Sequence, residues 1–237
     1  MNKAADVSNY TGELTESGIR ELKGMGVDKL IVQIVDPPAS YPPSVWKQQI
    51  TASFLPRFKL DCYVYLWNGQ SFTEQVKAAE DKIRGLFAGA PTGSLRLWYD
   101  TEDVTEGPGA TDKAALAAAL LEAIGKATMP CGVYTGKWYA DAYYPVDFIL
   151  PAGVPLWIAE YDNIPDTAVW TPFWGVNRPM VKQYEGMRAL GNGKIDLNVY
   201  EDKVPLVHES ASLPVASGVD PRLVQARQLL DDVIAGR

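Results

Sequence analysis

The chain has 237 residues, of which 47% are apolar and 22% charged, and it carries a net charge of −7. That balance is ordinary for a globular protein, and a pI near 4.8 argues against a nucleic-acid partner, because phosphate binding needs clustered Lys and Arg. His208 is the single histidine, so a Ser-His-Asp triad or a His-rich metal site has almost nothing to stand on.

Cys62 and Cys131 lie far apart inside apolar runs, with no CxxC spacing, and read as reduced core thiols. The first residues, "MNKAADVSNY", contain no apolar h-region, so no signal peptide is expected. No run of about 18 apolar residues exists, so no membrane insertion is expected either.

In chain order, the elements alternate. A strand at 4–9 precedes a helix at 15–25 with Thr15 as its cap, and a strand at 29–35 precedes a helix at 44–55. A third strand, 60–67, leads to a helix at 72–88 that opens with the capping box Ser71 and Glu74. Its stripe is Val76, Ala79, Ile83 and Leu86. The fourth strand, 95–102, leads to an Ala-rich helix at 112–127, with Leu116, Leu120, Ala123 and Ile124 on one face.

After the fifth strand, 131–136, the connections change. Segments 137–152 and 162–178 carry Pro145, Pro151, Pro165 and Pro172 among many aromatics and read as loops or broken helices. They flank a strand at 154–161. The last two strands, 179–185 and 194–200, are joined by "GMRALGNGK", too short and Gly-rich for a helical crossover, and read as an antiparallel hairpin.

Strands alternating with helices predict an α/β fold with a parallel sheet. Eight strands in one unit predict an irregular (β/α) barrel with a reduced number of helices in its second half. A doubly wound open sheet is the alternative, but no GxGxxG or Walker pattern follows any strand. The barrel is expected over 1–207, then a linker at 208–220. Residues 221–237 read as a short amphipathic helix with Asp220 at its N-cap and Pro221 at its first position. That helix packs back on the barrel or meets a partner, through self-association or a virion contact.

In such a barrel, chemistry sits at the C-terminal ends of the strands. Side chains alternate along a strand, so Trp98, Asp100 and Glu102 share a face, and Asp100 and Glu102 lie about 6.5–7 Å apart along the backbone. Strand one adds Asp6 and Ser8, strand seven Gln183, and strand eight Asp196 and Asn198. Strands three, five and six add Tyr63, Tyr65, Trp67, Tyr134, Trp157 and Tyr161.

Neighbouring carboxylates in a partly apolar cleft push one pKa up and leave a general acid protonated near neutrality. Aromatic faces suit the C–H faces of sugar rings. Carboxyls with aromatics therefore point to glycoside hydrolysis. Divalent-cation binding by the same carboxylates is the competing chemical reading.

The segments "DVSNYTG", "LWYDTEDV", "GVYTGKWY", "PLWIAEYD", "VKQYEG" and "IDLNVYE", in this order, resemble the glycoside hydrolase family 25 muramidases. The resemblance runs from about Asp6 to Tyr200. It implies an irregular barrel without cofactor or metal that cleaves the β-1,4 bond between N-acetylmuramic acid and N-acetylglucosamine in peptidoglycan.

It further implies Glu102 as proton donor, Asp100 as the residue that steers or polarises the substrate acetamido group, and Asp6 and Asp196 as flanking carboxylates. Trp157, Tyr161 and Tyr134 line the sugar subsites, with Gln183 and Asn198 as polar supports. Retention through the substrate's own N-acetyl group is the implied course, with a nucleophilic Asp100 the variant of it.

Departures exist. Thr11 stands where the family often has Gln, "CYVYLWNG" lacks the family's third-strand histidine, and Glu160 stands where a basic residue is common. The implied setting is a phage lysin, held in the host cytoplasm until holin-mediated release or carried in the virion.

The competing readings are a glycan-binding virion component without catalysis, and a related N-acetylhexosaminidase or chitinase-like glycosidase on the same barrel. Trp46, Trp170 and Trp174 are expected to close the core. Asp103 and Glu106 are expected to be solvated beyond the inward face, and His208 to lie on the surface.

Overall fold

Eight strands hydrogen-bond in chain order and close on themselves in the computed structural model. It describes residues 2–35, 45–54, 57–88, 95–105, 107, 109–165, 173–176, 179–191 and 193–201. The strands are β1 (Asn2–Val7), β2 (Val27–Gln33), β3 (Lys59–Tyr65), β4 (Leu97–Asp100), β5 (Cys131–Gly136), β6 (Leu156–Ala159), β7 (Val181–Leu190) and β8 (Gly193–Tyr200). Each falls on a strand expected from its alternating pattern. The predicted linker at 208–220 and the helix at 221–237 lie outside the described residues, as do Glu106, Trp170 and His208.

Helices α1 (Glu16–Gly24), α2 (Trp46–Phe54), α3 (Phe72–Leu86) and α4 (Lys113–Gly125) cover the first half of the barrel. The starts of α1, α3 and α4 obey capping chemistry, since each side-chain acceptor satisfies a backbone N–H that the first turn leaves free. Thr15 accepts from Gly18 N, Ser71 from Glu74 N, and Asp112 from Ala114 N and Ala115 N.

The second half holds a fifth, shorter helix, α5 (Lys137–Tyr143), inside the segment expected to be irregular. Gly136 at its N-cap offers no side-chain acceptor, so the usual start signal is missing. Packing supplies the order instead: the rings of Tyr139 and Tyr143 stack at 4.3 Å, and both are buried.

Two cores result. One lies between sheet and helices, where Trp46 and Trp174 are buried as expected. The other fills the barrel with inward residues such as Ile31, Tyr63, Trp98, Tyr134, Trp157 and Tyr200. Trp98 lies over Gly132, where an added Cβ would come within 2.5 Å of its ring. Only glycine lets the fifth strand pass that indole.

Below this layer Lys29 Nζ meets Asp61 Oδ2 at 3.0 Å, and both side chains are buried. Asp61 also accepts from Trp98 Nε1 and Arg96 N, and the Lys29 ammonium stands 4.4 Å from the centre of the Tyr200 ring.

The barrel departs from an all-parallel sheet at its last strand. β8 runs antiparallel to β7, as the short connection predicted, and also antiparallel to β1. A strand returning through a tight hairpin reverses direction, so its first half, not its last, reaches the mouth. That is why Asp196 pairs in register with Asp6.

β7 also extends beyond the expected residue 185, through register shifts at Gln183/Glu185 and Glu185/Arg188. The bulged strand bends there, and Met187 takes a φ of 60° that directs its N–H to Asp196 Oδ1. Gly193 then touches the first loop so closely that a Cβ would fall 1.8 Å from Thr11 O.

Candidate active site

The barrel mouth holds a cavity of about 280 Å³. All of the residues expected at the site line it except Asn198, and they arrive from seven strands: Asp6, Tyr63 and Tyr65, Asp100, Tyr134, Trp157, Gln183 and Asp196, with Trp67, Glu102 and Tyr161 just past strand ends. Asn198 lies beneath. It donates to Asp6 Oδ2 at 2.8 Å and accepts from Trp157 Nε1 at 2.8 Å. Ser8 also lines the cavity.

Three lining residues were not singled out from sequence: Asn9, Tyr10 and Gln33. Gln33 had a signal, because it shares inward parity with Lys29 and Ile31. Asn9 and Tyr10 sit in the turn after β1, where no periodicity applies. That turn is pinned: Thr11 N donates to Ser8 O, Asn9 N to Gln33 Oε1, and Gln49 Nε2 to Ser8 O.

Gln183 joins the carboxylates to the aromatics. Its Nε2 donates to Asp6 Oδ2 and to Asp196 Oδ2, each at 2.9 Å. Its Oε1 accepts from the hydroxyls of Tyr134 at 2.9 Å and Tyr161 at 3.0 Å. An amide donor therefore occupies the place between Asp6 and Asp196 that a cation would need. Among the described residues no group of three His, Cys, Asp or Glu side chains is placed to hold a metal ion.

Asp103, expected to be solvated, is instead buried. Its carboxylate accepts from Asn68 N at 2.7 Å, Thr105 N at 3.0 Å and Thr105 Oγ1 at 3.0 Å, while its carbonyl accepts from Tyr139 Oη at 3.1 Å. Inward parity ends at Glu102, but the turn folds Asp103 back onto the loop after β3. This clamp fixes the backbone beside Glu102. Glu160 stands 3.7 Å from the buried Lys182, which pairs with Asp162 at 2.7 Å. The cation at this rim thus comes from β7.

Burial raises all four carboxyls, and a neighbour's charge adds to the rise at Glu102, Asp100 and Asp6. Burial pushes Glu102 up to about 7; a hydrogen bond with Tyr134 pulls it down, and Asp196 adds to the rise. Burial raises Asp100 well above the usual range, helped by the charges of Glu102 and Asp6. Burial and then Asp196 raise Asp6 against the hydrogen bonds from Asn198 and Gln183. Asp196 is raised by burial and pulled back by the Met187 N–H.

The sign for stability follows from linkage. Glu102 binds its proton more tightly folded than unfolded, so its contribution is intact below about 4.5 and is lost as pH rises towards about 7. At ~1.4 kcal/mol per pKa unit, the ionised group opposes folding by about 3–4 kcal/mol at pH 8. Glu102→Gln is therefore expected to raise thermal stability at pH 8 and to leave it nearly unchanged at pH 4. Calorimetry at the two pH values checks this. A variant equally stabilised or destabilised at both would show that burial does not strain this carboxyl.

No protein-family model matches the chain, and no curated protein sequence does. Solved structures do match. The muramidase from Trichobolus zukalii aligns with a TM-score of 0.66 and 14% identity, over 86% of this chain and 95% of that one. This barrel has the family 25 muramidase fold. The family GH25 lysozyme from Aspergillus fumigatus aligns at 0.62 and 13% identity, over 97% and 98% of the two chains. The modular Cpl-1 endolysin, solved with a peptidoglycan analogue, aligns at 0.50 and 19% identity, over 84% of this chain and 54% of its own. At these identities the likeness is one of fold, and the chemistry must be argued from the mouth itself.

Proposed function

We propose that the protein is a muramidase that hydrolyses the β-1,4 bond between N-acetylmuramic acid and N-acetylglucosamine in peptidoglycan. One observation carries the reading: Glu102, raised to about 7, stands beside Asp100 in an aromatic-lined cavity whose other wall is the bridged Asp6–Asp196 pair. The fold shared with muramidases and lysozymes supports it.

Glu102 begins protonated and gives its proton to the glycosidic oxygen, so the leaving sugar departs as a neutral alcohol. The substrate's N-acetyl oxygen attacks the anomeric carbon and forms an oxazolinium ion, a substrate-assisted route that needs no enzyme nucleophile. Positive charge then develops next to Asp100, whose ionised form is stabilised at that moment and holds the acetamido N–H. Water opens the ring while Glu102, now a carboxylate, takes its proton. The configuration is retained. Trp157, Tyr134, Tyr161, Tyr63, Tyr65 and Trp67 supply faces for sugar rings.

No helix among the described residues is long and apolar enough to cross a membrane. A lysin setting, with release by a holin or delivery on a virion, belongs to this proposal by likeness to an endolysin.

The test is product mapping after digestion of purified peptidoglycan. New reducing ends on N-acetylmuramic acid are expected. Ends on N-acetylglucosamine would move the protein to the glucosaminidases, and binding with intact glycan strands would make it a binding module.

A further inference from the structure

Tyr161 lines the mouth, yet burial does not hold it there: it lies just past the end of β6 and is 53% exposed. Its ring rests against Gly186, where an added Cβ would come within 2.9 Å of Cε1. Its hydroxyl donates to Gln183 Oε1 at 3.0 Å.

The main chain that carries the ring is held more tightly. Asp162 N donates to Glu160 O at 2.9 Å and closes a three-residue turn with Tyr161 at its centre. Glu160 N donates to Gln183 O at 2.9 Å and Asn163 N to Tyr184 O at 3.0 Å, so both ends of the turn are tied to β7. The chain leaves through Asn163 at a φ of 59°, a left-handed conformation that asparagine tolerates better than most residues.

One side chain fastens this turn from the outer face of the sheet. Lys182 precedes Gln183 on β7, so it points to the opposite face. It is buried, and its Nζ donates to Asp162 Oδ2 at 2.7 Å. The other oxygen of Asp162 accepts from Ile164 N at 2.9 Å. A buried ammonium is costly without its partner, so lysine and turn are fixed together.

We infer that Lys182 is a positioning residue: through Asp162 it holds the turn that sets Tyr161 in the wall of the mouth. Adjacent residues of β7 thereby grip one tyrosine at both ends, Gln183 at the hydroxyl and Lys182 at the main chain. That this wall faces a sugar rests on the muramidase reading; that Lys182 places the ring does not.

Two measurements on the full chain test it. With 3-fluorotyrosine incorporated, the Tyr161 and Tyr99 resonances are assigned by their absence in Tyr161→Phe and Tyr99→Phe, and fluorine NMR follows both rings without substrate. Lys182→Met keeps the length of the side chain and removes its charge. It is expected to shift or broaden the Tyr161 resonance and to leave that of Tyr99, on β4, in place. On peptidoglycan fragments it is expected to raise KM about three- to tenfold, the worth of one oriented aromatic contact, with kcat kept within about twofold. In a Tyr161→Ala background it should change neither.

An unchanged Tyr161 resonance, an equal disturbance at Tyr99, a fall in kcat with KM kept, or the same KM rise in the Tyr161→Ala background would overturn the inference. If Lys182→Met does not fold, Asp162→Asn takes its place with the same outcomes, since that side chain is partly exposed. A wild type that cleaves no peptidoglycan would sink the functional reading, and the fluorine spectra alone would still decide whether Lys182 places Tyr161.

Discussion

Glu102→Gln is expected to lower kcat on peptidoglycan by about 10²–10⁴-fold, the range a positioned general acid contributes, while binding to the insoluble wall is kept. The amide has nearly the same shape and keeps the contact with Tyr134, but it has no proton to give to the leaving oxygen. Asp100 does not substitute. It is buried deeper in the mouth, and in the proposed mechanism it acts on the acetamido side of the bond. Binding is expected to be kept because the rings proposed to face the sugars, Trp157, Tyr134 and Tyr161, are left in place. Turnover of a wall suspension, read beside sedimentation with the wall, separates the two effects. A variant within tenfold of wild type would take the proton-donor role from Glu102.

The second large effect lies at the other end of the barrel. Asp61→Ala is expected to cost about 3–5 kcal/mol of stability, because removing one partner leaves a buried charge uncompensated. Lys29 would keep only the Tyr200 ring, and Trp98 Nε1 and Arg96 N would each lose their acceptor. For a chain of this length that loss corresponds to a fall in Tm of roughly 10 °C. Replacing both members, Lys29→Met with Asp61→Leu, should recover most of it, since an apolar pair carries no desolvation cost. A single Asp61→Ala variant as stable as wild type would show that Lys29 escapes to solvent.

The barrel was legible in the sequence because period-two alternation and capping residues act locally. Ser71, Thr15 and Asp112 mark helix starts by chemistry confined to one turn. The parity that placed Trp98, Asp100 and Glu102 on one face needed no tertiary knowledge. What was not legible depends on contacts between distant elements. α5 has no cap and is ordered by stacked tyrosines. β7 runs on to Leu190 because its bulges carry it past the mouth. Asp103 looks like a loop acid until the turn folds it onto Asn68.

The same division holds for the site. Carboxylates and aromatics were visible as residue types at strand ends, whereas Asn9 and Tyr10 lie in a turn with no period. Asp196 was assigned to the mouth by inward parity alone; the antiparallel course that the short connection predicted is what brings the first half of β8 there, opposite Asp6. Asn198, expected as a polar support, holds Asp6 and Trp157 from beneath the cavity.

The pH dependence of kcat/KM on a soluble glycan fragment tests the central claim most directly, since it reports the acid and base of the free enzyme. If Glu102 is the donor held protonated by the mouth, activity falls on the alkaline side with a midpoint near 7. Activity undiminished well above that pH, or an alkaline limb near the ordinary glutamate value, would contradict it.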